Sequence, residues 1–144
     1  MLIGWFIGSC QKNDAQQRTK VKVEAKEIEP TPTISVVKSE KELIIQEIIN
    51  VFGEDSDKAF LLLMGKDNGS CAENRMLNPR AVNDNSSWGG TGKDRGIFQI
   101  NDQFHPISDE CAFDYKCNIN YAHRMYLNDN KTFIRWTCGK FYKI

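Results

Sequence analysis

The chain has 144 residues, 40% of them hydrophobic and 26% charged, with Lys+Arg and Asp+Glu balanced at 19 each. That length is roughly one ordinary domain, and the composition excludes a wholly disordered chain or one that crosses a membrane many times. Residues 1–38 carry six basic and four acidic side chains and residues 39–144 thirteen and fifteen, so there is no polybasic arm for nucleic acid and no acidic tail.

At the N-terminus, Leu2–Ile7 is an apolar run far shorter than the roughly 20 helical residues a hydrocarbon core requires. Ile7-Gly8-Ser9-Cys10 resembles a bacterial lipobox. On that resemblance residues 1–10 are a truncated signal segment and Cys10 is the lipidation candidate, although no positively charged stretch precedes it. Residues 11–38 are polar, contain Pro30 and Pro32, and lack helical periodicity, which predicts a flexible, disordered linker. As a coil these 28 residues would reach on the order of 30 Å, enough to tether a domain beside a membrane.

The folded part is expected to begin at Ser39, where Ser39-x-x-Glu42 forms a capping box. Leu43, Ile44, Ile48, Ile49 and Phe52 then define an apolar helical stripe that Gly53 ends. Asp55 or Ser56 can cap a second helix through Ala59–Met64, largely buried, and Gly65-Lys66-Asp67-Asn68-Gly69 interrupts it or forces a polar turn. Residues 80–101 suit a loop or small hairpin with Ile97-Phe98-Gln99-Ile100 as its apolar end. Helical spacing returns from about Pro106 to Leu127. The expected fold class is α+β, mostly α, with a small β-hairpin or loop subdomain.

Cysteine usage bears on the compartment. No CxxC pair exists, and His105 and His123 complete no zinc spacing, so neither metal nor cofactor is expected. Cys71, Cys111, Cys117 and Cys138 form an even set within a small domain. They read as two disulfides in an oxidising compartment, against the alternative of buried thiols in a cytosolic scaffold. Three pairings remain open, and Cys111 and Cys117 are close enough in sequence for a local bridge.

Three segments carry candidate chemistry: Cys71-Ala72-Glu73-Asn74-Arg75-Met76-Leu77-Asn78-Pro79-Arg80-Ala81-Val82-Asn83, Lys93-Asp94-Arg95-Gly96-Ile97-Phe98-Gln99-Ile100-Asn101, and Cys117-Asn118-Ile119-Asn120-Tyr121-Ala122. In order and spacing they resemble the lysozyme superfamily, including the soluble lytic transglycosylase domain and, around Asp94, the c-type lysozymes. The resemblance covers residues 39–144, read as a lysozyme-like catalytic domain. It implies cleavage of the β-1,4 bond between N-acetylmuramic acid and N-acetylglucosamine in peptidoglycan, with Glu73 as general acid. A glycosidic oxygen leaves only when protonated, so the acid must hold its proton near neutral pH, and apolar surroundings such as Leu61–Met64 and Met76-Leu77 serve that purpose.

Asp94 is the candidate second carboxylate, nucleophile or stabiliser of a retaining hydrolase. Its alternative is a loop aspartate paired with Lys93 or Arg95, and the lytic transglycosylase route would then dispense with it. Gln99, Asn101, Tyr121 and Trp88 are the candidate substrate-binding residues, whereas Trp136 and Tyr126 are expected in the core. The resemblance further implies an exported, extracytoplasmic monomer acting on peptidoglycan glycan strands, with a membrane tether through Cys10. A non-catalytic relative that binds glycan or protein is the alternative.

The chain departs from the family pattern at several points. Asn74 stands where transglycosylases place a serine, and Gly65–Gly69 breaks the helix that would deliver the glutamate. The Ala-Tyr-Asn segment is missing, so no catalytic tyrosine is assigned.

Overall fold

The computed structural model describes residues 37–144. The signal segment, the lipidation candidate Cys10 and residues 11–36 of the linker lie outside the described residues. Val37 and Lys38 are exposed and belong to no regular element.

Helix α1, Glu40–Phe52, starts at the capping box. The Glu42 carboxylate accepts from the Ser39 backbone N–H at 2.7 Å, and the Ser39 hydroxyl accepts from the Glu42 N–H at 3.3 Å. Its buried line is Ile44, Ile48 and Phe52, an i, i+4, i+8 row. Leu43 and Ile49 of the expected stripe are instead 40% and 42% exposed, so the face that packs on α4 and α2 is narrower than the apolar arc of the sequence. Gly53 ends the helix in a left-handed conformation (φ 54°) that favours glycine.

A 3₁₀ turn over Gly53–Asp55 leads into α2, Ser56–Met64. Asp55 occupies the cap position without capping: its carboxylate pairs with Lys58 at 3.0 Å and Lys131 at 3.5 Å. Gly65 closes α2, with its N–H donating to the Leu61 carbonyl and a φ of 72°. A Cβ there would stand 2.4 Å from the Ser70 hydroxyl oxygen.

The polar excursion forms a three-stranded antiparallel sheet rather than a single hairpin, in the order β1 (Val82–Asp84), β2 (Lys93–Arg95), β3 (Ile100–Asn101). Asp94 on the central strand faces Asn83 on one side and Asn101 on the other. The apolar end of this excursion is mostly turn: Gly96–Gln99 is a tight turn between β2 and β3. It is nevertheless core: Ile97 and Phe98 are fully buried, so hydrophobicity marks a turn driven into the interior.

The helical stretch near the C-terminus is divided into α3 (Asp109–Phe113) and α4 (Tyr115–Asn128). Asp114 causes the break. Its extended backbone stops α3, and its carboxylate accepts from the Cys117 N–H at 2.7 Å to cap α4. The Cys111–Cys117 disulfide spans this corner. Helix α5, Thr137–Tyr142, ends the domain, and Cys138 joins it to Cys71 across 67 residues. Two disulfides fit an oxidising environment, and no helix among the described residues is long and apolar enough to cross a membrane.

The core is aromatic at its centre. Phe52 meets Phe98, Tyr126 and Phe133 with ring centroids 5.4 to 5.8 Å apart, and Trp136 packs edge-on to Phe133 at 5.4 Å. Trp136 is 5% exposed and Tyr126 1%, both in the core as expected.

Candidate active site

Glu73 sits on the loop between α2 and β1, not on a helix. The last carbonyls of any helix lack intrahelical partners, and this loop supplies them. Glu73 N–H donates to Leu62 O at 3.1 Å, and Asn74 N–H to Leu63 O at 2.9 Å. The break at Gly65–Gly69 is therefore what lets the chain turn back and dock the glutamate against the end of α2.

Asn74, which stands where transglycosylases place a serine, clamps the same loop. It is 7% exposed, and its amide donates to Asn78 O (2.9 Å), Gly96 O (3.3 Å) and Ile97 O (3.2 Å). Its oxygen accepts from Asn78 N–H at 3.0 Å. A serine could not bridge the Glu73 loop and the β2–β3 turn with as many bonds.

On the opposite side, Glu73 Oε1 accepts from the Cys138 N–H at 2.8 Å, at the start of α5, where Trp136 offers no side-chain cap. The carboxyl is half-buried and open to a cleft. Burial pushes its pKa above the ordinary 4.5, the Cys138 N–H pulls it back, and the nearby charge of Asp94 raises it further. The net direction is upward, which is the requirement for a general acid.

Asp94 lines the same cavity, of about 630 Å³, as Glu73. Its Oδ1 accepts from the Asn101 amide at 2.8 Å. The alternative of a salt-bridged loop aspartate does not hold among the described residues: Arg95 turns the other way. Strand alternation buries Arg95 (8% exposed), where it pairs with Asp109, bonds Ile107 O at 2.9 Å and lies 3.5 Å from Asp102. Asp94 makes no ion pair among the described residues.

Of the remaining candidates, Gln99 and Asn101 line the cavity with the two carboxylates. Gln99 is already committed inside the sheet, with its amide donating to Gly96 O at 2.7 Å and its oxygen accepting from Asn83 at 2.6 Å. Its left-handed backbone (φ 48°) closes the turn. Trp88 lies apart from the main cavity, 89% exposed, in an adjoining hollow that shares Asn85, Asn101 and Phe104 with it. Tyr121 also lies outside the main cavity, in a hollow on its far side.

Sequence reasoning passed over Asn118, which is fully buried. Its oxygen accepts from Phe98 N–H at 2.8 Å and its amide donates to Ala112 O at 3.1 Å and Arg95 O at 3.2 Å. It pins the turn that follows Asp94, and Gly96 makes room for it: a Cβ on Gly96 would stand 2.0 Å from Ala112 O and 2.5 Å from the Asn118 amide. Trp136 also contributes to the cavity wall, its indole N–H held by Phe98 O at 2.6 Å. No group of three or more His, Cys, Asp or Glu side chains among the described residues is arranged to hold a metal ion.

Comparison of the chain with family models, curated proteins and solved structures gives no match. A functional reading therefore stands on the residues and their geometry.

Proposed function

We propose that the chain is a lysozyme-like muramidase that cleaves the β-1,4 bond between N-acetylmuramic acid and N-acetylglucosamine in peptidoglycan. The carrying observation is that two carboxylates in unlike settings line one cavity. Glu73 is half-buried and held toward its protonated form, while Asp94 takes an amide hydrogen bond and no cation. Such an asymmetric pair divides the labour of glycoside cleavage, one group delivering a proton and the other meeting the developing positive charge at the sugar.

In this reading Glu73 protonates the glycosidic oxygen, and the Cys138 N–H keeps its second oxygen oriented. Asp94 stabilises the oxocarbenium-like centre or attacks it, which favours hydrolysis over the transglycosylase route. Gln99 holds the turn, Asn101 orients Asp94, and Trp88 with Phe104 offers aromatic faces where the glycan leaves the cleft. The two disulfides suit work outside the cytoplasm, with the lipobox-like Cys10 as a tether to the membrane.

The test is incubation of the whole protein with peptidoglycan beside its Glu73→Gln variant. Wild-type release of muropeptides that the variant lacks supports the reading, and equal release by both overturns it. Mass spectrometry of the products separates the routes, since reducing ends mark a hydrolase and anhydro ends a transglycosylase. Glycan binding without turnover would indicate the non-catalytic alternative.

A further inference from the structure

The cleft continues past the carboxylates into a second cavity of about 290 Å³ that shares His105, Met125 and Arg135 with the first. Helix α4 supplies its other walls, Tyr121, Arg124 and Asn128. The electrostatic character reverses here. The first cavity is marked by Glu73 and Asp94, whereas the second has guanidinium groups and no carboxylate in its walls.

The two guanidiniums differ in how they are held, Arg124 being the exposed one. Asp129 grips Arg135 at two points, Nε to Oδ2 at 2.5 Å and Nη2 to Oδ1 at 2.8 Å, which fixes the plane of the group. Its Nη1 has no hydrogen-bond partner among the described residues. Arg124 lies over the Tyr121 ring, 5.2 Å from its centroid, and makes no ion pair among the described residues. Asp129 offsets one of the two positive charges and leaves the other uncompensated. Partial burial, and then the Arg135 charge, hold the His105 imidazole toward its neutral form, so it adds a polar edge rather than a third cation.

The geometry points to a carboxylate subsite: the second cavity takes an acidic group carried on a branch of the glycan, the stem peptide of peptidoglycan, with Arg124 and Arg135 as donors. The inference rests on the muramidase reading and deepens it by naming what part of the substrate lies beyond the cleavage centre. Guanidinium presents only donors, in a planar fork that matches a carboxylate. The sugar backbone of peptidoglycan is uncharged, so its carboxylates belong to the peptides. Stacking on Tyr121 lowers the conformational freedom that Arg124 must give up on binding, which favours a specific contact over diffuse attraction.

Co-sedimentation tests the subsite, using the full chain carrying Glu73→Gln so that the polymer is not consumed. The probes are intact peptidoglycan and the same material after conversion of its carboxylates to amides. We expect amidation to weaken binding about fivefold, the upper range for a solvent-accessible charge pair, and to reduce the salt dependence of what remains. Adding Arg124→Ala should weaken binding to the intact polymer and shrink the difference between the two probes, with Arg124→Lys between. Equal binding of the two probes, an undiminished difference in Arg124→Ala, or no binding to either probe would overturn the subsite. The muropeptide assay decides the cleavage reading separately.

Discussion

Glu73 and Cys138 are tied together twice. The Cys138 N–H donates to Glu73 Oε1 at 2.8 Å, and the Cys138 sulfur is bonded to Cys71, which precedes Glu73 by two residues. The Tyr142 hydroxyl adds a third strap by donating to Cys71 O at 2.7 Å. One disulfide thus joins the loop that carries the acid to the helix that orients it.

The two disulfides should consequently differ in effect. Closing a loop across 67 residues is worth about 4 kcal/mol in the chain-entropy account, and closing one across 6 about 2 kcal/mol. Replacing Cys71 and Cys138 by alanine should lower stability in urea by more than replacing Cys111 and Cys117, and should also abolish muropeptide release. Equal losses of stability, or full activity without the Cys71–Cys138 bond, would contradict this.

The raised pKa of Glu73 fixes the sign of a pH effect. An acid whose pKa is higher folded than unfolded contributes stability below the unfolded value, near 4.5, and that contribution is lost as pH rises through the folded value. Glu73→Gln keeps an oxygen to accept the Cys138 N–H and removes the buried charge. Relative to wild type it should therefore gain stability as pH rises above 4.5, measured by thermal unfolding across the range. A constant Tm difference from pH 4 to pH 8 would argue against a buried ionising carboxyl.

Asp94→Asn separates the roles of the second carboxylate. If Asp94 stabilises the transition state, kcat should fall about a hundredfold or more. Because its charge helps to raise the Glu73 pKa, the alkaline limb of the activity profile should also move to lower pH. A kcat within a few-fold of wild type would point to the transglycosylase route, which needs no second carboxylate.

Asn118→Ala should act through stability before chemistry. The change strands Phe98 N–H, Ala112 O and Arg95 O in the interior, at a cost of about 3 kcal/mol or more. Denaturant titration measures the loss. A loss below about 1 kcal/mol would mean that water replaces the amide at no great cost.

The start and stop of α1 were legible in the sequence because their signals are local. The Ser39–Glu42 box and Gly53 bound α1 as written, since a cap involves residues three or four positions apart. The break at Asp114 was also written locally, in a carboxylate three residues before Cys117, but continuous helical spacing masked it. The loop or small hairpin over residues 80–101 was legible as such, but not the burial of its β2–β3 turn, where Ile97 and Phe98 are held by Asn74 and Asn118, neither of them near in sequence.

Which groups are available can be read from the residue order alone: Glu73 and Asp94 ahead of a Gly-Ile-Phe-Gln-Ile-Asn segment, four cysteines within residues 71–138, and neutral bulk charge. Folding selects which of three disulfide pairings forms and turns Arg95 from Asp94 toward Asp109. It also decided that the charge of Asp94 reaches Glu73. The physical reason is range. Capping and periodicity act within a few residues, whereas desolvation and pairing depend on what the chain brings together across 65 residues, the separation between Glu73 and the N–H that holds it.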